Sequence, residues 1–326
     1  MIWDIIKHHV ILLATDGLAG KKPACSRYVT AKSVHIKRTI LAALIAIPLA
    51  GIAGSADDDK SASPLAPALP PSAITGDIGV TVQNGYVTRG LVLENKGPAF
   101  QPYGDLFYKV YDGSGFINSF SLQAGVWNDI NLAAPIAPPH ADDRTWTEIY
   151  WQIGFITKFD TRFSLSSALR QYASPSDAYP LGRSINNILS FDDSGLLDRN
   201  FSIQPHLTVL YELPAAGHCG LHGHSWYFDP GIAPTYTSFT GSKAPVTLSL
   251  PVTLGLGSGF YDGKTFGYLS VGPQISVLLA FIPQQYGAWR FSAGYRYYCL
   301  GDTTTAFAPG RESHQQIVNV SIGLKF

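Results

Sequence analysis

Charge is scarce in this chain. Asp, Glu, Lys and Arg together make up 14% of its 326 residues, against about a quarter in ordinary globular domains. Methionine occurs once and cysteine three times. No long charged amphipathic helix is visible. The longest apolar run, Thr39 to Ala50, is too short and too interrupted by Pro48 for a membrane-spanning helix. Several chemical signatures are missing as well. There is no Gly-x-Ser-x-Gly elbow, no glycine-rich phosphate loop with a lysine and no His-Glu-x-x-His. These absences speak against the common hydrolase, nucleotide-binding and zinc-protease classes, and the chain reads as no enzyme and as needing no cofactor.

What is present is an alternation. The chain closes on Val318, Val320, Ile322, Leu324 and Phe326 set against Asn319, Ser321, Gly323 and Lys325. That is a period of two over a whole strand, as expected where one face meets apolar surroundings and the other water. About twelve segments share it, near 74–91, 99–111, 116–127, 146–159, 161–172, 184–191, 202–212, 225–238, 245–255, 265–280, 288–299 and 315–326. In 146–159, Ile149, Trp151, Ile153 and Phe155 oppose Glu148, Tyr150, Gln152 and Lys158. In 288–299, Trp289, Phe291, Ala293, Tyr295 and Tyr297 oppose Arg290, Ser292, Gly294 and Arg296. Aromatics make up 12% of the chain. They gather near strand ends, at Trp146, Trp226, Tyr261, Tyr268, Tyr286 and Trp289, which suits girdles at two membrane interfaces.

The connections alternate too. Asp160, Asp112 to Gly115 and Pro283 to Gly287 are short, whereas 128–145, 173–183, 213–224, 256–264 and 300–314 are longer and rich in Pro, Gly, Asp and His. Short turns on one side and long loops on the other are the habit of outer-membrane barrels. The 192–201 connection, with Asp192, Asp193, Asp198 and Arg199, is the exception. An open sheet edge in hydrocarbon leaves backbone groups unpaired at several kcal/mol each, so the sheet must close. The expected fold is all-β: a transmembrane antiparallel up-and-down β-barrel of about twelve strands over 73–326.

Ahead of it, residues 1–56 carry seven Lys/Arg and two Asp/Glu, and the rest carries 16 and 21. A basic leader on an acidic body reads as targeting, and argues against nucleic-acid binding. Lys37-Arg38, the apolar run and the small residues to Ala56 form a secretory signal over 35–56. Residues 1–34 read as an extension outside the signal, with synthesis starting near Val34. Residues 57–72, acidic and then rich in Ser, Ala and Pro, read as a linker. Cys25 lies in the leader. For Cys219 and Cys299, a disulfide and two thiols are both open.

The first strand, with Tyr86-Val87-Thr88-Arg89-Gly90 and the return through Gln101, resembles a group of Gram-negative outer-membrane proteins that carry a Tyr-x-x-Arg-Gly element in the first hairpin. The resemblance covers roughly 73–326. It implies a barrel in the bacterial outer membrane, with the lipid bilayer as surroundings. Phe326 resembles the terminal signal read by the barrel-assembly machinery. The porin-like character of that group implies small solutes as partners.

By phase, the lumen receives Asp77, Gln83, Asp105, Lys109, Gln123, Glu148, Gln152, Lys158, Arg162, Arg170, Gln204, His206, Glu212, Asp229, Gln274, Arg290, Arg296, Asn319 and Lys325. Arg89 is expected to face the lumen and pair with Asp105. Both signs occur, so weak ion selectivity is expected. Three uses of such a lumen stand open: a narrow porin-like channel for small polar solutes, a structural or adhesive barrel with a closed lumen and partner-binding loops, and an outer-membrane hydrolase, for which His206 is the one strand histidine. His218, Cys219, His222 and His224 form a cluster with weak metal-binding character, although their spacing matches no closed structural site.

Overall fold

A computed structural model describes residues 73–95, 97–132, 145–176, 181–214 and 224–326. The extension, signal and linker assigned to 1–72 lie outside the described residues, as do Cys25, His218, Cys219 and His222.

The strands are β1 (Ile74–Gln83), β2 (Tyr86–Thr88), β3 (Leu91–Glu94), β4 (Ala99–Asp112), β5 (Ile117–Asn131), β6 (Trp146–Phe159), β7 (Phe163–Ala173), β8 (Gly182–Phe191), β9 (Phe201–Ser202), β10 (His206–Leu213), β11 (Trp226–Ile232), β12 (Thr235–Ser238), β13 (Val246–Ser249), β14 (Val252–Leu256), β15 (Phe266–Val271), β16 (Gln274–Leu278), β17 (Ala288–Leu300) and β18 (His314–Lys325). All but β2 and β3 belong to one antiparallel sheet. Four pairs are halves of single staves: β9 with β10, β11 with β12, β13 with β14, and β15 with β16. The wall therefore has twelve staves, each beside its sequence neighbour, and β1 pairs with β18 to close it.

The four broken staves are adjacent, and each break holds a proline: Pro205, Pro234, Pro251 and Pro273. Proline lacks the N–H that a ladder needs. The ladder is carried across by proline carbonyls instead. Leu250 N–H donates to Pro234 O at 2.8 Å, and Tyr295 N–H to Pro273 O at 2.9 Å. On the other side of the barrel β5 and β6 pair over nearly their full length.

The alternation read from sequence is the alternation of the wall. Val318, Val320, Ile322, Ile153, Leu248, Leu269 and Phe291 are exposed on the outer face, while Gln101, Asp105, Gln123 and Gln152 are buried inside it. The end that holds Ile74 and Phe326, the near end, has short connections. The tightest, the three-residue connection Asp160-Thr161-Arg162 between paired Phe159 and Phe163, takes left-handed φ values of 50° and 56° at Asp160 and Thr161. The longer 192–200 connection is tied down: Asp193 accepts from Ile203 N–H at 2.7 Å and Gln204 N–H at 2.8 Å. At the far end a short helix, α1 (Asp302–Phe307), lies between β17 and β18. Phe326 joins the closing seam, its N–H donating to Gly76 O at 3.0 Å and its carbonyl accepting from Gly76 N–H at 2.8 Å.

Two expectations about the wall are corrected. The first strand does not run from 74 to 91. It stops at Gln83, and the chain then forms a separate antiparallel hairpin, β2–β3. Tyr261 and Tyr268 are not girdle residues; both are buried inside the barrel. Trp226 and Tyr286 are exposed, as girdle positions should be.

Candidate functional site

The hairpin crosses the lumen at the far end. Tyr86 lies 5.2 Å from Trp127, which stacks on Tyr150 at 5.1 Å, and Tyr150 meets Tyr172 edge-on at 6.0 Å. These rings come from β5, β6 and β7 and pave one inner wall. Val92 packs into a second apolar cluster with Leu210, Tyr227, Phe260, Tyr261, Tyr268 and Leu300. The hairpin thus spans from the β1–β4 wall to the staves opposite. Aromatic and apolar side chains, normally found outside such a barrel, form a tier within its far half, with Asp129, Glu148 and Gln101 buried beyond it.

Arg89 is at the hairpin tip. It and Gly90 take φ values of 49° and 78°. Glycine reaches that region readily, whereas arginine does so at a cost. The Arg89 guanidinium stacks on Tyr172 and Phe260, 5.3 and 5.4 Å from the ring centres, and its Nη1 lies 3.6 Å from Glu212 Oε1. This corrects the expected Asp105 partner. Asp105 instead accepts from Gln152 Nε2 at 3.1 Å, and Arg170 Nη2 donates to Gln152 Oε1 at 2.9 Å. Burial works against the Arg89 charge, but Tyr172 and Glu212 hold its pKa above the ordinary value. Tyr261, in the 257–265 loop, donates its hydroxyl to Arg89 O at 2.9 Å. Burial keeps that phenol well above its ordinary pKa, although the Arg89 charge opposes the shift. The loop is pinned in turn by Thr303 of α1, whose hydroxyl donates to Tyr261 O at 2.7 Å.

Toward the near end the inner face turns polar. Asp77 stands in register between Lys325 and Asp105. Arg290, Gln274 and Asn319 share that face by register. Polar groups are also buried in the far half. Beside the apolar cluster, Arg296 reaches Ser270 Oγ at 3.4 Å, and Asp229 accepts from Tyr268 at 3.5 Å. Beyond Trp127, Asp129, fully buried, accepts from Gln101 Nε2 at 2.9 Å and Asn131 Nδ2 at 3.0 Å. Glu148, opposite Asp129, and Lys158, next to the near rim, face inward by register. Lys109 pairs with Asp112 at 2.9 Å beside the near rim.

Arg162 is a further correction. It does not line the lumen. It belongs to the near-end turn, where its Nη1 donates to Asp192 O at 2.8 Å and Ser194 O at 3.2 Å. A turn offers backbone carbonyls that a paired wall does not. His206 does face inward, beside Gly231, with Nδ1 3.2 Å from Gln204 O. His224 pairs with the Tyr211 hydroxyl at 3.0 Å. Cys299 is a half-buried thiol on the outward face of β17.

The class these features define is a closed twelve-stave antiparallel barrel with a hairpin folded across its bore. No family model matches the chain, and no curated protein sequence matches it. Solved structures do resemble it. An outer membrane channel from Pseudomonas putida F1 is 9% identical with a TM-score of 0.45, the match covering 79% of this chain and 97% of that one. The NanC porin is 12% identical with a TM-score of 0.40, covering 77% and 100%. The β domain of the Bordetella autotransporter BrkA is 9% identical with a TM-score of 0.39, covering 77% and 98%.

Proposed function

We propose that this protein is a bacterial outer-membrane barrel that forms a narrow channel for small polar solutes, held here with its outer mouth closed. One observation carries the reading: the wall is apolar outside and lined with polar groups of both signs inside, from the near rim up to the Gln152–Arg170 level. Hydrocarbon suits the first face and water the second. A soluble sandwich would have no use for an exposed Ile153, Leu248 or Phe291. Ile74 and Phe326, at the near end, lie on the periplasmic side and the long far-end loops outside. Passage is passive and needs no chemistry. Acidic and basic side chains both line the bore, so discrimination between cations and anions is weak. Phe326, seated on Gly76, is the residue offered to the assembly machinery.

A second reading is favoured by the burial of the hairpin. A bore filled by Tyr86, Val92 and Phe260 suits a structural barrel whose long loops bind partners. Planar-bilayer recording decides between them. A variant with Tyr86–Glu94 replaced by a short Gly-Ser link should conduct ions with near-equal permeability to potassium and chloride. A correctly folded variant, with heat-sensitive gel mobility and no conductance, would establish the closed structural barrel.

A further inference from the structure

We propose that the β2–β3 hairpin is a hinged gate latched at Arg89, not a fixed plug; this rests on the channel reading above. Three observations carry it. First, the wall is complete without the hairpin. β1 and β4 pair directly in unbroken register from Ile74↔Tyr108 to Gln83↔Ala99, so moving the hairpin breaks no wall ladder.

Second, its root is fixed. Asn84 N–H donates to Val318 O at 3.2 Å, Val318 N–H donates to Asn84 Oδ1 at 2.8 Å, and Asn84 Nδ2 donates to Gln316 O at 3.3 Å. A segment anchored at its base and outside the wall's strand ladder beyond it can swing as a unit once its side-chain contacts part.

Third, the tip is held on poor terms. Arg89 Nη1 is buried with no hydrogen-bond partner, and at 3.6 Å its ion pair with Glu212 is longer than a hydrogen bond. Burying a charge is costly unless it is paired and hydrogen-bonded. Arg89 also holds a left-handed backbone that a glycine would hold without strain. A permanent plug would gain by satisfying or removing this residue. A latch must let go, and an imperfectly satisfied ion pair on two aromatic faces can do so, because water rehydrates the guanidinium once the tip leaves the bore.

The test is single-channel recording of the refolded full chain. Wild type should show rare openings. Arg89→Gln and Glu212→Gln should each raise open probability about tenfold, with little further gain when combined, because both cut the same link. In a background with Cys25, Cys219 and Cys299 changed to serine, Arg89→Cys and Glu212→Cys bridged by a bis-methanethiosulfonate should be silent, and dithiothreitol should restore openings. Openings unaffected by either glutamine variant and by the bridge would overturn the gate. Silence of wild type and both glutamine variants, with conduction only after hairpin replacement, would also overturn it, as a fixed plug, and leave the channel standing. Silence of the hairpin-replaced barrel as well would remove the channel reading itself.

Discussion

Ile153 is the position at which the wall's two-sidedness is best put at risk. It lies on the outward face of β6, opposite Ala124 and Leu169, and is 54% exposed. It stands six residues before Phe159, at the near rim. At about 3.3 Å per residue that is roughly 20 Å of strand, or ~15 Å of depth at a tilt near 40°. An apolar band ~25 Å tall therefore has its midplane close to Ile153. Ile117, also exposed and one residue from the turn, is opposite Phe159 itself. Arginine at the midplane of a barrel costs ~2–4 kcal/mol, falling to ~0–1 near an interface. Ile153→Arg should thus lose several times the stability that Ile117→Arg loses. On a soluble sheet both would be surface changes, within about 0.5 kcal/mol of neutral. The assay is reversible guanidinium unfolding in phospholipid vesicles, followed by tryptophan fluorescence. Equal, small losses at both sites would mean that no hydrocarbon surrounds this sheet, and the channel would go with it.

Other expectations follow from single contacts. A Cβ on Gly125 would meet Asp105 Oδ1 head-on, so Gly125→Ala should push Asp105 off Gln152 and cost ~1–3 kcal/mol in the same unfolding assay, as expected for a buried acceptor left without its donor. A Cβ on Gly76 would strike the Phe326 ring, so Gly76→Val and deletion of Phe326 should both slow barrel closure, read as delayed appearance of the compact gel form. Trp127→Ala removes the ring that joins Tyr86 of the hairpin to Tyr150 of the wall and should cost ~3–5 kcal/mol. In hydrogen exchange, amides of β12, β13 and β16, which pair in short runs beside the proline breaks, should exchange before those of β5 and β6. Uniform protection around the barrel would refute that ordering.

The wall was readable from the chain because its physics is local. Leu248 and Thr247, or Phe291 and Ser292, need only a period of two to fall on opposite sides, and that survives in any register. Pro205, Pro234, Pro251 and Pro273 likewise mark stave breaks without reference to neighbours. The bore was less legible. Tyr86 keeps the phase of Val82, and Arg89 that of Gln83, so the strand reads on past its end. Only Asn84-Gly85, a turn dipeptide, marks the place where the chain leaves the wall. Phase alone pairs Arg89 with the nearest acid in the next strand, whereas its partner Glu212 lies across the barrel. Nothing in a linear pattern encodes that distance. Arg162 was assigned by phase although it precedes the strand, and a turn residue is governed by nearby carbonyls. Phe260-Tyr261, apolar in an otherwise polar glycine-rich loop, was the one further sign that this loop folds inward.

On the channel reading, an apolar tier within a largely polar lumen lets one barrel be both sealed and a conduit. A polar bore stopped by polar groups would stay wet, because water can bridge any gap between charged side chains. A seal needs surfaces that water does not favour, and the far half supplies them in Tyr86, Trp127, Val92, Leu210 and Phe260, all buried. Those same contacts are non-directional, so they can be left and remade without a unique geometry. The directional contacts at that level, Arg89 with Glu212 and Tyr261 with the Arg89 carbonyl, then fix which closed arrangement is adopted. Replacing Val92 by Ser should therefore leak water and small ions without freeing the tip, whereas Arg89→Gln should free the tip while the apolar tier still reseals. The first predicts a small steady conductance, the second a larger intermittent one. Finding the two signatures exchanged would mean that the seal and the latch are not separate parts.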